Sequence, residues 1–142
     1  MISVVQYFTN PHTGDVKAHT TDQEMLADAL LAAVQGLLVE AEVAGVYVWA
    51  ADPDTGTIIS GAKGGSGDGG FRAPESGTGA PTSSHREARG LDVYDSSNLL
   101  DNWIDDDCLT RHGLYREHPD ATPGWCHLTT RSPGSGRRTF RP

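Results

Sequence analysis

The chain has 142 residues, enough for one hydrophobic core but short for two, so its length predicts a single domain over residues 1–142. Hydrophobic residues make up 37% and charged residues 21%, which is ordinary for a globular protein, although 17 glycines predict much loop. The formal charge of -8 argues against a nucleic-acid partner, because phosphate binding relies on clustered lysine and arginine.

The end of the chain departs from this acidic balance. Residues 131–142 contain Arg131, Arg137, Arg138 and Arg141. We predict a basic, solvated C-terminal tail there, with contact to an anionic surface as the alternative.

The two cysteines, Cys108 and Cys126, have no CxxC spacing and form no disulfide framework, so we expect free thiols. The first residues lack the basic start and apolar run of a signal peptide, and no segment approaches the ~18 apolar residues of a membrane span. We therefore expect a protein made in the cytoplasm, without a signal peptide and without a membrane span.

The clearest helical pattern runs from residue 21 to residue 45. Thr21 and Glu24 fit a capping box at its start, and Gly45 is a natural stop. Apolar residues recur at intervals of three and four and form one stripe: Leu26, Leu30, Ala33, Val34, Leu37 and Ala41. We interpret this segment as a core helix with no chemical role.

Short strands are predicted on both sides of this helix. An opening strand spans residues 2–8, and residues 45–50 and 57–61 are typical of a hairpin. The glycine-rich residues 61–83 predict an irregular surface segment anchored by Phe71.

The second half of the chain predicts three more strands and a helix. Alternating apolar and polar residues predict a strand over residues 90–94, and serines suited to capping begin a short helix over residues 96–107. Residues 113–117 and 125–130 predict two strands joined by a turn with two prolines. These elements predict an α+β fold in which helices pack on one side of a small antiparallel sheet.

Histidine and aspartate side chains in the second half indicate a candidate metal site. His85 precedes the 90–94 strand and Asp92 lies on it, and the small residues Ala88 and Gly90 between them allow a close backbone approach. His127 lies in an apolar strand, where a solvated histidine is out of place. Two imidazoles and a carboxylate are ligands that zinc accepts, and a catalytic zinc keeps its fourth position open.

Spacing alone leaves other interpretations of these residues open. Cys126 faces away from His127 on the same strand, so we expect a buried thiol and not a ligand. His127 fits a hydrogen-bonded core histidine, and His85 with Asp92 fits a hydrogen-bonded pair without a metal.

Three motifs resemble one known family. "SSHREARGLDVYD" resembles the SxHxxGxAxD signature of the D-alanyl-D-alanine metallopeptidases, with Ala88 and Gly90 interchanged relative to it. Upstream, "GGFRAPESGTGAPTSSH" resembles the family's SGYR or SGFR element. Downstream, "GLYREHPDATPGWCHLTTRSPGSGRRTF" is similar to the last two strands of short phage-encoded endolysins. The resemblance covers roughly residues 58 to 140, in the family's order.

The resemblance implies roles for individual residues. His85, Asp92 and His127 match the family's three zinc ligands. Arg72 matches the arginine that stabilises charge on the carbonyl oxygen, with Lys63 as the alternative.

The general base is the part of the family pattern that this chain lacks. Many members have Glu or Asp three residues before the last zinc ligand, where this chain has Gly124. Glu117, at the end of the 113–117 strand, is our first candidate, and Asp120 and His118 on the following turn are alternatives.

The function that the resemblance implies is zinc-dependent hydrolysis of peptidoglycan stem peptides that contain D-amino acids, by an endopeptidase or a carboxypeptidase. The alternative is a catalytically inactive, zinc-stabilised cell-wall-binding or virion structural module, which Gly124 favours. Without a signal peptide, such an enzyme is expected to reach the wall in a phage virion or by phage-assisted release.

Overall fold

A computed structural model describes residues 1–61, 69–73 and 83–142. Within these ranges the helices are α1 (Val4–Tyr7), α2 (Thr21–Val43), α3 (Leu99–Trp103) and α4 (Asp106–His112). The strands are β1 (Gly90–Tyr94), β2 (Tyr115–Glu117), β3 (Trp125–Thr129) and β4 (Thr139–Phe140). Two 3-10 turns, Ser84–Glu87 and Pro119–Ala121, precede β1 and β3. The predicted α+β class is confirmed.

The four strands form one sheet in the order β1-β3-β2-β4. β3 is antiparallel to both of its neighbours, whereas β4 pairs parallel to β2. The predicted antiparallel sheet is therefore wrong in this strand, and the sheet is mixed, because the C-terminal segment adds to the free edge of β2. Alternate residues of a strand point to opposite faces, and one face here is apolar and fully buried: Leu91, Val93, Cys126 and Leu128. The other face carries polar side chains together with aromatic ones.

The predicted core helix is confirmed as α2, with its start shifted by one residue. Thr20 and Gln23, not Thr21 and Glu24, form the capping box. Leu30, Leu37 and Leu38 are 0% exposed, and each such side chain contributes about 2 kcal/mol on burial. No helix among the described residues is both long and apolar enough to cross a membrane.

The predicted opening strand at residues 2–8 is wrong, because this segment contains α1. Ser3 Oγ accepts a hydrogen bond from the Gln6 backbone N–H, and Gln6 Oε1 accepts one from the Ser3 N–H. This capping box satisfies two helix-start donors and outweighs the β preference of Val4 and Val5.

The predicted hairpin of residues 45–50 and 57–61 is also wrong. The turn closes through the Asp52 N–H and the Thr57 carbonyl, but residues 45–50, which precede it, form no strand. Residues 58–60 instead run along the outer edge of β1, where Ser60 N–H donates to the Asp92 carbonyl and Tyr94 N–H donates to the Ile58 carbonyl. Residues 58–60 therefore make their backbone hydrogen bonds with β1 and not with residues 45–50.

The predicted helix over residues 96–107 is divided in two. Ile104 adopts an extended conformation between α3 and α4, and Asp105 caps α4 by accepting from the Cys108 N–H at 2.8 Å. The start of α3 is capped by the Asp95 carboxylate and not by the serines, since Asp95 accepts from the Leu100 and Asp101 N–H groups.

The predicted solvated tail over residues 131–142 is wrong in its second half. Thr139 and Phe140 form β4 on the free edge of β2, and Arg138 lies 4.3 Å from the centre of the Tyr115 ring. The basic composition obscured a short segment that pairs with the sheet.

Substitution of Gly90 by alanine tests the approach of the 3-10 turn to β1. A Cβ at this position would lie 2.4 Å from Ser84 Oγ, so we expect a loss of about 1–3 kcal/mol in the free energy of unfolding. Chemical denaturation measures it. At Gly134 an added Cβ meets nothing within 4 Å, so Gly134→Ala should change the stability by less than about 0.5 kcal/mol. Equal stability losses in the two variants would contradict the described contact.

Candidate metal centre

The strand register places Asp92, His127 and Glu117 in one row across the sheet. Asp92 on β1 is directly paired with His127 on β3. β2 pairs with β3 through Tyr115 and Thr129 and through Arg116 and Leu128, and the next pair in that register is Glu117 with His127. Directly opposed residues project to the same face of a sheet. The three side chains therefore share the face opposite the apolar core.

His85 reaches this row from the 3-10 turn Ser84–Glu87. Ser83 Oγ accepts a hydrogen bond from the His85 N–H at 3.3 Å and starts the turn. The turn ends at Ala88, which adopts a left-handed conformation with φ of 60°. Gly90 allows the turn to lie directly against β1.

The structure brings the three predicted ligands together, and all three are buried. His127 Nδ1 lies 2.8 Å from Asp92 Oδ1, and His85 Nε2 lies 3.3 Å from the same oxygen. One donor atom from each residue falls within 4.8 Å of the other two. This buried group can hold a metal ion.

A backbone carbonyl fixes the orientation of the His85 ring. His85 Nδ1 lies 2.9 Å from the Gly70 carbonyl oxygen, which accepts only if Nδ1 carries the proton. In a neutral ring Nε2 then keeps its lone pair, and that atom faces Asp92. On the other ring, His127 directs Nδ1 to the centre, while its Nε2 lies 3.4 Å from Ser84 Oγ.

Burial and charge favour the protonation states that a metal needs. Burial alone raises the pKa of Asp92, but the adjacent imidazoles of His85 and His127 outweigh it and hold that pKa far below its usual range. Burial lowers the pKa of His85, although Asp92 opposes this effect. An ionised carboxylate and a neutral imidazole are the ligating forms of these side chains.

The donor set of the group fits zinc. Two imidazole nitrogens and one carboxylate oxygen make three protein ligands, the number found in catalytic zinc sites. They line a cavity of about 540 Å³, which is within the usual range for ligand pockets. Access through this cavity leaves room for a further ligand.

Of the other predicted site residues, Arg72 and Glu117 lie near this group and Asp120 does not. Arg72 and Glu117 line the same cavity, and Arg72 Nη2 lies 3.5 Å from Asp92 Oδ2. Burial raises the pKa of Glu117, and His127 partly offsets the effect. Asp120 lies outside the cavity lining, on an exposed 3-10 turn near Arg141.

The remaining alternatives from the sequence take different positions. His118 caps the same turn as Asp120 by accepting from its N–H. Lys63 lies outside the described residues. Cys126 is fully buried on the opposite face of β3, as the alternation predicts, and burial raises the pKa of its thiol well above the usual value.

A second group of three donors lies between α2 and α4. Glu40, Cys108 and His112 place one donor atom each within 4.8 Å of the others. Glu40 already binds the Arg111 guanidinium and lies 2.5 Å from His112 Nε2, and burial raises the pKa of the Cys108 thiol. Because the guanidinium opposes a further cation, we interpret this group as an ion-paired clamp between two helices.

A buried polar network behind the sheet supports β2 and β3. Asp101 is 1% exposed and accepts hydrogen bonds from Thr122 Oγ1 at 2.9 Å and from Arg116 Nη1. Arg116 is on β2, next to Glu117 but facing the other way. The available sequence signal is Asp101, which stands among the apolar residues of 99–104. A charged side chain that is buried with such neighbours needs hydrogen-bond partners.

No protein-family model, curated protein or solved structure matches this chain. The geometry of the described residues is therefore the evidence for the site.

Zinc binding should depend on the three gathered side chains. We expect one ion per chain at this site, and we expect Asp92→Asn and His127→Ala to weaken zinc affinity more than about 100-fold, since each removes a ligand. Equilibrium dialysis with elemental analysis measures this. His118→Ala is the control, because His118 lies on the turn before β3 and should leave the affinity unchanged. Wild-type affinity in both ligand variants would rule out this centre.

Proposed function

We propose that the protein is a zinc-dependent peptidase that hydrolyses peptide bonds in peptidoglycan stem peptides. The observation that supports this is the convergence of His85, Asp92 and His127, which the family resemblance assigns as ligands, in the lining of one cavity. The residues come from two motifs more than 30 residues apart, so their meeting does not follow from local sequence.

In this proposal the metal supplies positive charge that acidifies water and polarises a carbonyl group. Arg72 provides N–H donors toward the carbonyl oxygen, where negative charge develops during attack. Its contact with Asp92 at 3.5 Å holds the guanidinium beside the ligands. The Arg72 side chain is only 13% exposed, so it is not a solvated surface arginine.

Glu117 is the general base in this proposal. It lies opposite His127 in the register, lines the cavity, and has a raised pKa because of burial. A raised pKa suits a group that takes a proton from the attacking water and returns it to the leaving amine. Glu117 thus replaces the carboxylate that Gly124 cannot supply.

The substrate and its location follow from the resemblance. The family acts on stem peptides with D-amino acids, as endopeptidases or carboxypeptidases, and we extend this to the present chain. Delivery in a phage virion or by phage-assisted release is part of the same proposal.

A second candidate is a zinc-stabilised module that binds the cell wall or a virion without catalysis. The feature that favours it is Gly124, which stands three residues before His127 and leaves that position without a carboxylate. Gly124 adopts a φ of +96°, a conformation suited to a turn. The two candidates differ in one measurable property, which is hydrolysis by zinc-loaded protein.

Substitution of Glu117 by glutamine separates the candidates. We expect Glu117→Gln to retain zinc and to lower kcat on purified peptidoglycan by about 10²–10⁴, since glutamine accepts no proton at neutral pH. Release of free amino groups from the digested wall measures the rate.

Asp120→Asn is the matched control for that change. Asp120 is an exposed carboxylate three residues away, outside the cavity lining, so its variant should keep wild-type activity. Zinc-loaded wild-type protein without hydrolysis would favour the binding module. Equal activity of wild type and Glu117→Gln would exclude Glu117 as the base.

A further inference from the structure

The C-terminal strand extends the row of site residues by one more side chain. On β4, Phe140 is directly paired with Glu117 on β2, so the row across the sheet reads Asp92, His127, Glu117 and Phe140. The Phe140 ring stands edge-on to the His127 ring, with centroids 6.4 Å apart and an interplanar angle of 89°. Phe140 is therefore half-buried and lies beside His127 at the candidate metal centre.

The cavity has an apolar end and a polar end along β3. Trp125 lies two residues before His127, on the same face, and lines the cavity with Phe140 and Pro142. β4 runs antiparallel to β3 in this sheet, which carries Pro142 toward the Trp125 end. At the other end of the strand, Thr129, its last residue, lines the cavity together with Arg131 and Pro133.

Hydrogen bonds hold Phe140 in this position. The His118 N–H donates to the Phe140 carbonyl at 2.7 Å, and the Arg116 N–H donates to the Arg138 carbonyl at 2.8 Å. Thr139 Oγ1 donates to Asp106 Oδ1 at 2.9 Å and ties the strand to α4. These bonds fix the backbone that carries Phe140, so the ring is presented by an ordered strand, which costs little ordering when a ligand binds.

We propose that Phe140 determines substrate specificity. With Trp125 it forms an apolar subsite for the side chain of the residue next to the cleaved bond, so the site selects peptides that carry an aliphatic residue there. An aliphatic group is removed from water against this apolar surface, whereas a charged group at the same position loses part of its hydration there. This inference rests on the proposed peptidase function, but it predicts a binding preference that is measured without catalysis.

The test uses synthetic stem peptides with alanine, leucine or glutamate next to the cleaved bond. Calorimetry measures their Kd for zinc-loaded Glu117→Gln protein, with and without Phe140→Ala. We expect the Glu117→Gln protein with Phe140 intact, the parent protein of this test, to bind the alanine and leucine peptides more tightly than the glutamate peptide. Phe140→Ala should weaken binding of the leucine peptide about tenfold and leave the glutamate peptide nearly unchanged, which reduces the preference.

Two further variants separate specificity from a structural effect. Phe140→Leu keeps an apolar side chain and should keep the preference, while zinc content reports whether His127 is still held. Tyr115→Ala removes an aromatic ring from the neighbouring strand, outside the cavity lining, and should also keep it.

The outcomes distinguish this inference from the peptidase proposal. An equal loss of binding for all three peptides, or the same preference with and without Phe140, would overturn the specificity role. Absence of binding by the parent protein would overturn it too. Selective binding by wild-type protein that does not hydrolyse these peptides would support the subsite and contradict the peptidase.

Discussion

The register of β3 between its two neighbours is the constraint on which the site depends. It sets Asp92 on one side of His127 and Glu117 on the other, all on one face of the sheet. Because side chains alternate with a period of two, a slip of one residue would turn His127 into the core and bring Cys126 or Leu128 to the cavity. The candidate metal centre thus depends on strand pairing more than on any single loop.

The opposite face of the same strands stabilises this register. Leu91, Val93 and Leu128 are 0% exposed there, and burial of one such side chain contributes about 2 kcal/mol. The buried Asp101 accepts from Arg116, which anchors β2 from behind. Adjacent residues on these strands therefore have different roles. Arg116 and Leu128 stabilise the sheet, while Glu117 and His127 face the cavity.

Patterns within one segment predicted much of this structure. The spacing of leucines gives α2, and alternation gives β1, β2 and β3, including the opposite facing of Cys126 and His127. Errors arise where a distant partner decides the outcome. Residues 58–60 pair with β1 and residues 139–140 pair with β2, and neither segment contains a signal for its partner. The place of Phe140 beside His127 follows from such a pairing, so it was accessible only from the fold.

Anomalous X-ray diffraction at the zinc absorption edge, from crystals of the zinc-loaded protein, tests the central claim most directly. We predict one anomalous peak, which marks a zinc ion bound by His85 Nε2, a carboxylate oxygen of Asp92 and His127 Nδ1. Each of these atoms should lie about 2.0–2.2 Å from the ion. No peak between these side chains, or a peak only at Glu40, Cys108 and His112, would contradict the assignment of the metal centre.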